Sequence, residues 1–168
     1  FNYSGHGNED QLTDELSLDR STLRSLRNLN NMPFFVTATC SFGRYDDPEN
    51  VSGGEEVVLA SQGGGIGALV SNRLVFANNN DIINLAFSKE VSRKVDGRYQ
   101  RLGDVMRTTK NNSIIVSSAG NRNYGLLADP SMKLAYPELN AVVTTINGST
   151  NLADTFNAVS YTHLTLPT

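Results

Sequence analysis

The chain has 168 residues, 39% hydrophobic and 18% charged, with a formal net charge of −3. That supports one domain with a core, and the lack of any lysine-arginine block argues against a nucleic-acid partner. No run of about 18 apolar residues encodes a membrane-spanning helix, and Cys40, the single cysteine, excludes an intrachain disulfide and a multi-cysteine zinc cluster.

Residues 1–3 read as the tail of a buried strand broken at Ser4-Gly5. Such a strand needs residues before it, so the chain reads as a fragment and the lack of a leader says nothing of compartment. Residues 8–19, NEDQLTDELSLD, read as a polar connection. Over residues 19–29, Leu23, Leu26 and Leu29 recur at threes, which predicts a helix capped by Asp19 or Ser21. After Pro33, residues 34–39 are aromatic and β-branched, as in a strand buried on both faces. Strand, helix and strand in this order require a parallel crossover.

The alternation continues. Residues 53–62 predict a helix stopped by three glycines, and residues 66–76 the next strand. Residues 80–95 predict a helix with Ile83, Ala86, Phe87 and Val91 on one side, and residues 101–112 a shorter one. Asp104, Arg107 and Lys110 read as its solvated face. This is the pattern of an α/β domain. Beyond Pro137 the sequence NAVVTTINGS turns β-branched, and a β module is expected to begin there.

In an open parallel sheet, ligands sit beyond the carboxyl ends of the strands. His6 and Cys40 each follow directly on such an end. If the two strands are neighbours, about 5 Å apart, imidazole and thiol can meet across the gap. A thiol beside an imidazolium titrates well below its free value of about 8.5, so the pair suits nucleophilic catalysis. Gly5 and Gly7 allow a tight turn, and the Gly7 amide can face the oxygen of a tetrahedral intermediate. The competing reading is a small buried cysteine and an unrelated histidine at two strand ends.

The segments NYSGHG, FVTATCSFGRYDDPE and SGGEEVVLASQGGGIGALVSNRLVF, with LGDVMRTTKNN and NYGLLADPSMKLAYP, resemble the gingipain-type cysteine peptidases. Within that family they are most similar to the PorU-type group, the signal peptidases and sortases of type IX secretion in Bacteroidota. The resemblance covers about residues 1–159. It implies a caspase-like three-layer α/β sandwich with a mostly parallel sheet over residues 1–136, followed by the start of an Ig-like β-sandwich module at 137–159. It also implies His6 as acid/base, Cys40 as nucleophile and the amides of Gly7 and Cys40 as oxyanion hole. No cofactor is required. The expected activity is cleavage of the C-terminal signal domain of exported cargo, with transfer to an amine of anionic lipopolysaccharide, at the outer-membrane surface beside the other secretion components. A non-catalytic caspase-like scaffold, or a degradative gingipain-like protease, is the alternative; keeping both His6 and Cys40 argues against the scaffold.

Ala128 departs from the glycine of the family's LLGDP pattern. The last residues, SYTHLTLPT at 160–168, fit neither the module nor a natural terminus and read as a non-native tail, so His163 receives no role. The resemblance also allows structural calcium, for which Asp46, Asp47 and Glu49 offer carboxylates; DDP is equally ordinary turn chemistry, which is the favoured reading. Arg73 lies where caspase-like peptidases wall their specificity pocket, so it contacts substrate or is a salt-bridged surface arginine. The glycines of GGGIG do not form a phosphate loop, because they follow a helix and open a strand.

Overall fold

A computed structural model of the chain describes residues 1–13, 18–113 and 119–136. The expected β-sandwich start at 137–159, the tail at 160–168 and His163 lie outside these residues.

The chain enters on β1 (Asn2–Ser4) and then forms two short antiparallel strands, β2 (Gln11–Leu12) and β3 (Leu18–Asp19). The segment expected as a mere connection therefore carries a small ribbon. Its cause is apolar: Leu12 is buried and joins a core cluster with Leu23 and Phe35, with Leu18 packed against it. Helix α1 (Arg20–Ser25) starts where expected, because the Asp19 carboxylate accepts the Thr22 amide at 2.7 Å. It ends at Leu26, short of Leu29. Asn28 leaves the helical path to hold the peptide group of Gly64, donating to its carbonyl at 2.9 Å and accepting its amide at 2.8 Å. Leu29 consequently opens a short 3-10 turn and is 56% exposed.

Strand β4 (Phe34–Ala38) is buried almost throughout, as its composition predicts. Helix α2 (Gly53–Leu59) opens on a reciprocal cap in which Ser52 and Glu55 each bond the other's backbone amide. After the glycines come β5 (Gly67–Ser71) and α3 (Ala77–Val91), which buries Ile83 and Phe87. A hairpin of β6 (Lys94–Val95) and β7 (Arg98–Tyr99) leads to α4 (Leu102–Asn112), α5 (Ala119–Arg122) and β8 (Tyr124–Leu127). The solvated face expected on α4 is only partly so. Asp104 pairs with Arg101 and Arg107, but the Lys110 ammonium turns inward to donate to the Tyr124 carbonyl at 2.9 Å. Burial holds the Lys110 pKa below its usual range.

The main sheet has the order β1-β4-β5-β8, with β1, β4 and β5 parallel and β8 antiparallel at the edge. Alternate strand residues face opposite layers. Val36 and Leu69 pack with Ile83, Phe87, Val105 and Met106 of α3 and α4. Phe35, Ala68 and Val70 pack with Leu23 of α1 and Val57 of α2. The result is a three-layer α/β sandwich whose carboxyl-end rim is formed by three consecutive parallel strands.

Candidate active site

The register of the strands fixes the site. In β1 and β4 the paired residues are Asn2 with Val36, Tyr3 with Thr37 and Ser4 with Ala38. Carried two residues further, the same offset sets His6 beside Cys40. In β4 and β5 the pairing runs from Phe34 with Gly67 to Thr37 with Val70. Carried three residues further, it sets Cys40 beside Arg73. His6, Cys40 and Arg73 thus emerge at one level from three adjacent parallel strands. The Gly5 amide bonds the Ala38 carbonyl at 3.1 Å and the Ser41 amide bonds the Arg73 carbonyl at 3.1 Å, which extends the ladder past the strand ends.

Local structure presents each side chain. The His6 carbonyl accepts the Tyr3 phenol at 2.6 Å and the Thr13 amide at 3.1 Å, so the backbone of this exposed residue is clamped while its ring is left accessible. Gly7 bridges to Leu12 and lies against Thr39; a Cβ there would stand 2.5 Å from the Thr39 hydroxyl and 2.8 Å from the Gln11 carbonyl. Only glycine allows that approach. Ser41 takes a φ of 50°, a left-handed conformation that non-glycine residues adopt at a cost. This turn sends the chain back to β5, where the Gly43 amide bonds the Ser71 carbonyl at 2.8 Å. Cys40 at the bend is half-buried, and its thiol donates to the Val75 carbonyl at 3.4 Å.

Two cavities flank Cys40. One, of about 200 Å³, is walled by Ser4, Gly5, His6 and Cys40 together with Val75, Ala77, Asn80 and Asp81. The other, of about 370 Å³, has Cys40, Gly7, Glu9, Arg44, Arg73 and Leu74 among its walls. His6 and Cys40 therefore share one enclosure, and Gly7 and Arg73 share a second with Cys40. Asn80, Asp81 and Val75 were not singled out by sequence. Their signal is topological: the segment from the end of the third parallel strand into the following helix must cross the same rim.

The charged groups of the larger cavity are mutually engaged. Arg73 holds Asp46 in a bidentate pair at 2.5 and 2.9 Å. Arg44 meets Glu9 at 3.1 Å and Asp47 at 3.6 Å. The Arg73 hydrogen bonds hold the Asp46 carboxyl below the usual carboxylate range and raise the guanidinium in turn. Asp47 also accepts the Glu49 amide at 3.0 Å. Asp46 and Asp47 of this loop thus face the guanidinium groups of Arg73 and Arg44, and among the described residues no group of three or more acidic, His or Cys side chains is placed together as metal ligands are. In the smaller cavity, the Ser4 hydroxyl donates to Asp81 at 3.3 Å. Beneath it the Tyr124 phenol donates to Asn80 at 2.6 Å, fully buried. Burial, and then the negative charges of Cys40 and Asp81, push the Tyr124 phenol well above its ordinary range.

Residues 1–135 match the family model of Peptidase family C25. The chain belongs to that family. As a C25 member it is of the gingipain-like cysteine peptidases. Among solved structures it is similar to gingipain R (RgpB), described as an Arg specific cysteine proteinase, with a TM-score of 0.63 at 16% identity over 79% of this chain and 32% of that one. A complex of Porphyromonas gingivalis RgpB pro- and mature domains gives a TM-score of 0.59 at 16% identity, over 79% and 33%. A third, described as a protease, gives 0.58 at 16% identity, over 79% and 34%. These likenesses show the caspase-like α/β fold expected from the sequence, and the chain spans about a third of those structures. No curated protein matches the chain.

Proposed function

We propose that Cys40 is the nucleophile and His6 the acid/base of a C25 cysteine peptidase. The observation that carries this reading is that the two residues stand level beyond paired strands and wall the same cavity. The Cys40 sulfur attacks a peptide carbonyl carbon, and the amides of Gly7 and Cys40 receive the oxyanion. His6 gives its proton to the departing amine as the C–N bond breaks, leaving a thioester. Water, or an acceptor amine, then attacks the thioester carbonyl with His6 taking its proton, and the C–S bond breaks to release the acyl group and return Cys40 as thiolate. Arg73, level with Cys40, contributes to the wall that meets substrate.

The motifs of the chain support the PorU-type form of this chemistry. The substrate is then the C-terminal signal domain of an exported cargo protein, and the acceptor an anionic lipopolysaccharide amine. The enzyme works at the outer-membrane surface with its secretion partners. Structural similarity to gingipain R supports a second form, hydrolysis alone by a degradative protease.

The test uses the full-length protein with cargo carrying or lacking its signal domain. Cys40→Ala is expected to abolish cleavage and His6→Ala to lower it by about 10²–10⁴-fold. Retained cleavage in Cys40→Ala overturns the assignment. Cleavage that ignores the signal domain selects the degradative form.

A further inference from the structure

We propose that Asp81 is a positioning residue for His6, holding it as imidazolium against the Cys40 thiolate; the inference rests on the reading of those two as the reacting pair. Asp81 lies early in α3 and is exposed toward the 200 Å³ cavity whose walls also carry His6 and Cys40. Its carboxylate is fastened to β1 through the Ser4 hydroxyl at 3.3 Å, and Ser4 is the last residue of the strand that presents His6. Among the described residues no lysine or arginine pairs with Asp81, in contrast to Glu9, Asp46 and Asp47 around the neighbouring cavity. Its charge is therefore directed at the site rather than cancelled beside it.

The placement is rigid. Asn80, the preceding residue, is buried and accepts the Tyr124 phenol at 2.6 Å, which fixes this part of α3 to the sheet. Among the described residues, the titratable groups near His6 are Tyr3, whose phenol bonds the His6 carbonyl, and Cys40 and Asp81 of the shared cavity wall, with Tyr124 behind the wall on Asn80. The Tyr124 phenol, pushed well above its ordinary range by burial, is neutral in the working range. Asp81 is then the standing negative charge that opposes deprotonation of the imidazolium, whatever the state of Cys40. A carboxylate so placed favours the thiolate-imidazolium form and extends it to higher pH.

Alkylation of Cys40 by iodoacetamide reads thiolate directly and needs no substrate. In the full-length protein its rate is measured against pH for wild type, Asp81→Asn, Asp81→Glu, Ser4→Ala and His6→Ala. Asp81→Asn is expected to move the imidazolium limb down by about one pH unit and to slow alkylation at neutral pH several-fold. Asp81→Glu is expected to restore most of it, and Ser4→Ala to shift the limb in the same direction by less. If Asp81→Asn and Ser4→Ala superimpose on wild type while His6→Ala slows alkylation, Asp81 has no such role and the peptidase reading stands. A uniform slowing by Asp81→Asn, with the profile unmoved, assigns Asp81 to structure and also overturns the proposal. If His6→Ala changes nothing, both readings fail.

Discussion

Thr39, Phe42 and Gly43 flank Cys40 and are buried, whereas His6, Arg73 and Leu74 around it are exposed. The bed is packed by close approaches: a Cβ on Gly53 would stand 2.2 Å from the Phe42 ring, so α2 begins directly against it. The rim is held by backbone bonds and by ion pairs at the surface. The difference shows how a strand end can be both fixed and open. Packing below sets where the Cys40 backbone sits, and the reacting side chains above remain accessible. Substitutions in the bed should therefore change stability first, and substitutions on the rim should change chemistry first.

The largest effect is expected from Phe42→Ala. Its ring is fully buried, and truncation should cost about 3–5 kcal/mol through lost transfer energy and the cavity left behind. The urea midpoint measures this; a loss below about 1 kcal/mol would mean that the bed is not close-packed. Gly43→Ala follows. The added Cβ would stand 2.1 Å from a Val70 methyl and 2.5 Å from the Val70 Cβ, so the turn after Cys40 must move. About 1–3 kcal/mol of destabilisation is expected, and Cys40 alkylation should slow in the protein that remains folded. Stability lost with alkylation unchanged would uncouple the bed from the site.

Tyr124→Phe is expected to cost about 1–2 kcal/mol, because it leaves the buried Asn80 carbonyl oxygen without its partner. Thermal unfolding measures it. This bond ties the edge strand β8 to α3, so the variant also tests whether the smaller cavity depends on the sheet beneath it.

Much of this was legible along the chain. The parallel crossover between the first two main strands follows from a long connection and from residues 34–39 having no polar alternation, and it alone places His6 and Cys40 on one edge. Strand β8 was not legible, because YGLL is four residues without alternation and its pairing is antiparallel at the sheet edge. The early end of α1 was hidden as well. Leucine spacing continues to Leu29, and only the long-range bond from Asn28 to Gly64 breaks the helix. Asp81 and Asn80 looked like ordinary helix polar residues, since their meaning depends on which rim the helix starts from.

Arg73→Ala should have the smallest effect on stability, and its pH dependence is diagnostic. Arg73 lowers the Asp46 pKa in the folded protein, so the pair's contribution is present above the unfolded carboxyl value, about pH 4, and is lost as pH falls through the lower folded value. The unfolding midpoints of wild type and Arg73→Ala should therefore differ slightly at pH 7 and converge in acid. Both groups are exposed, so added salt should narrow the neutral-pH difference. Kinetics separates the two uses of this arginine. If Arg73 meets substrate, KM for cargo rises with little change in kcat; if KM is unchanged, Arg73 serves to brace the loop that carries Asp46 beside Cys40. Either outcome locates the boundary between rim residues that hold the fold and rim residues that touch the peptide.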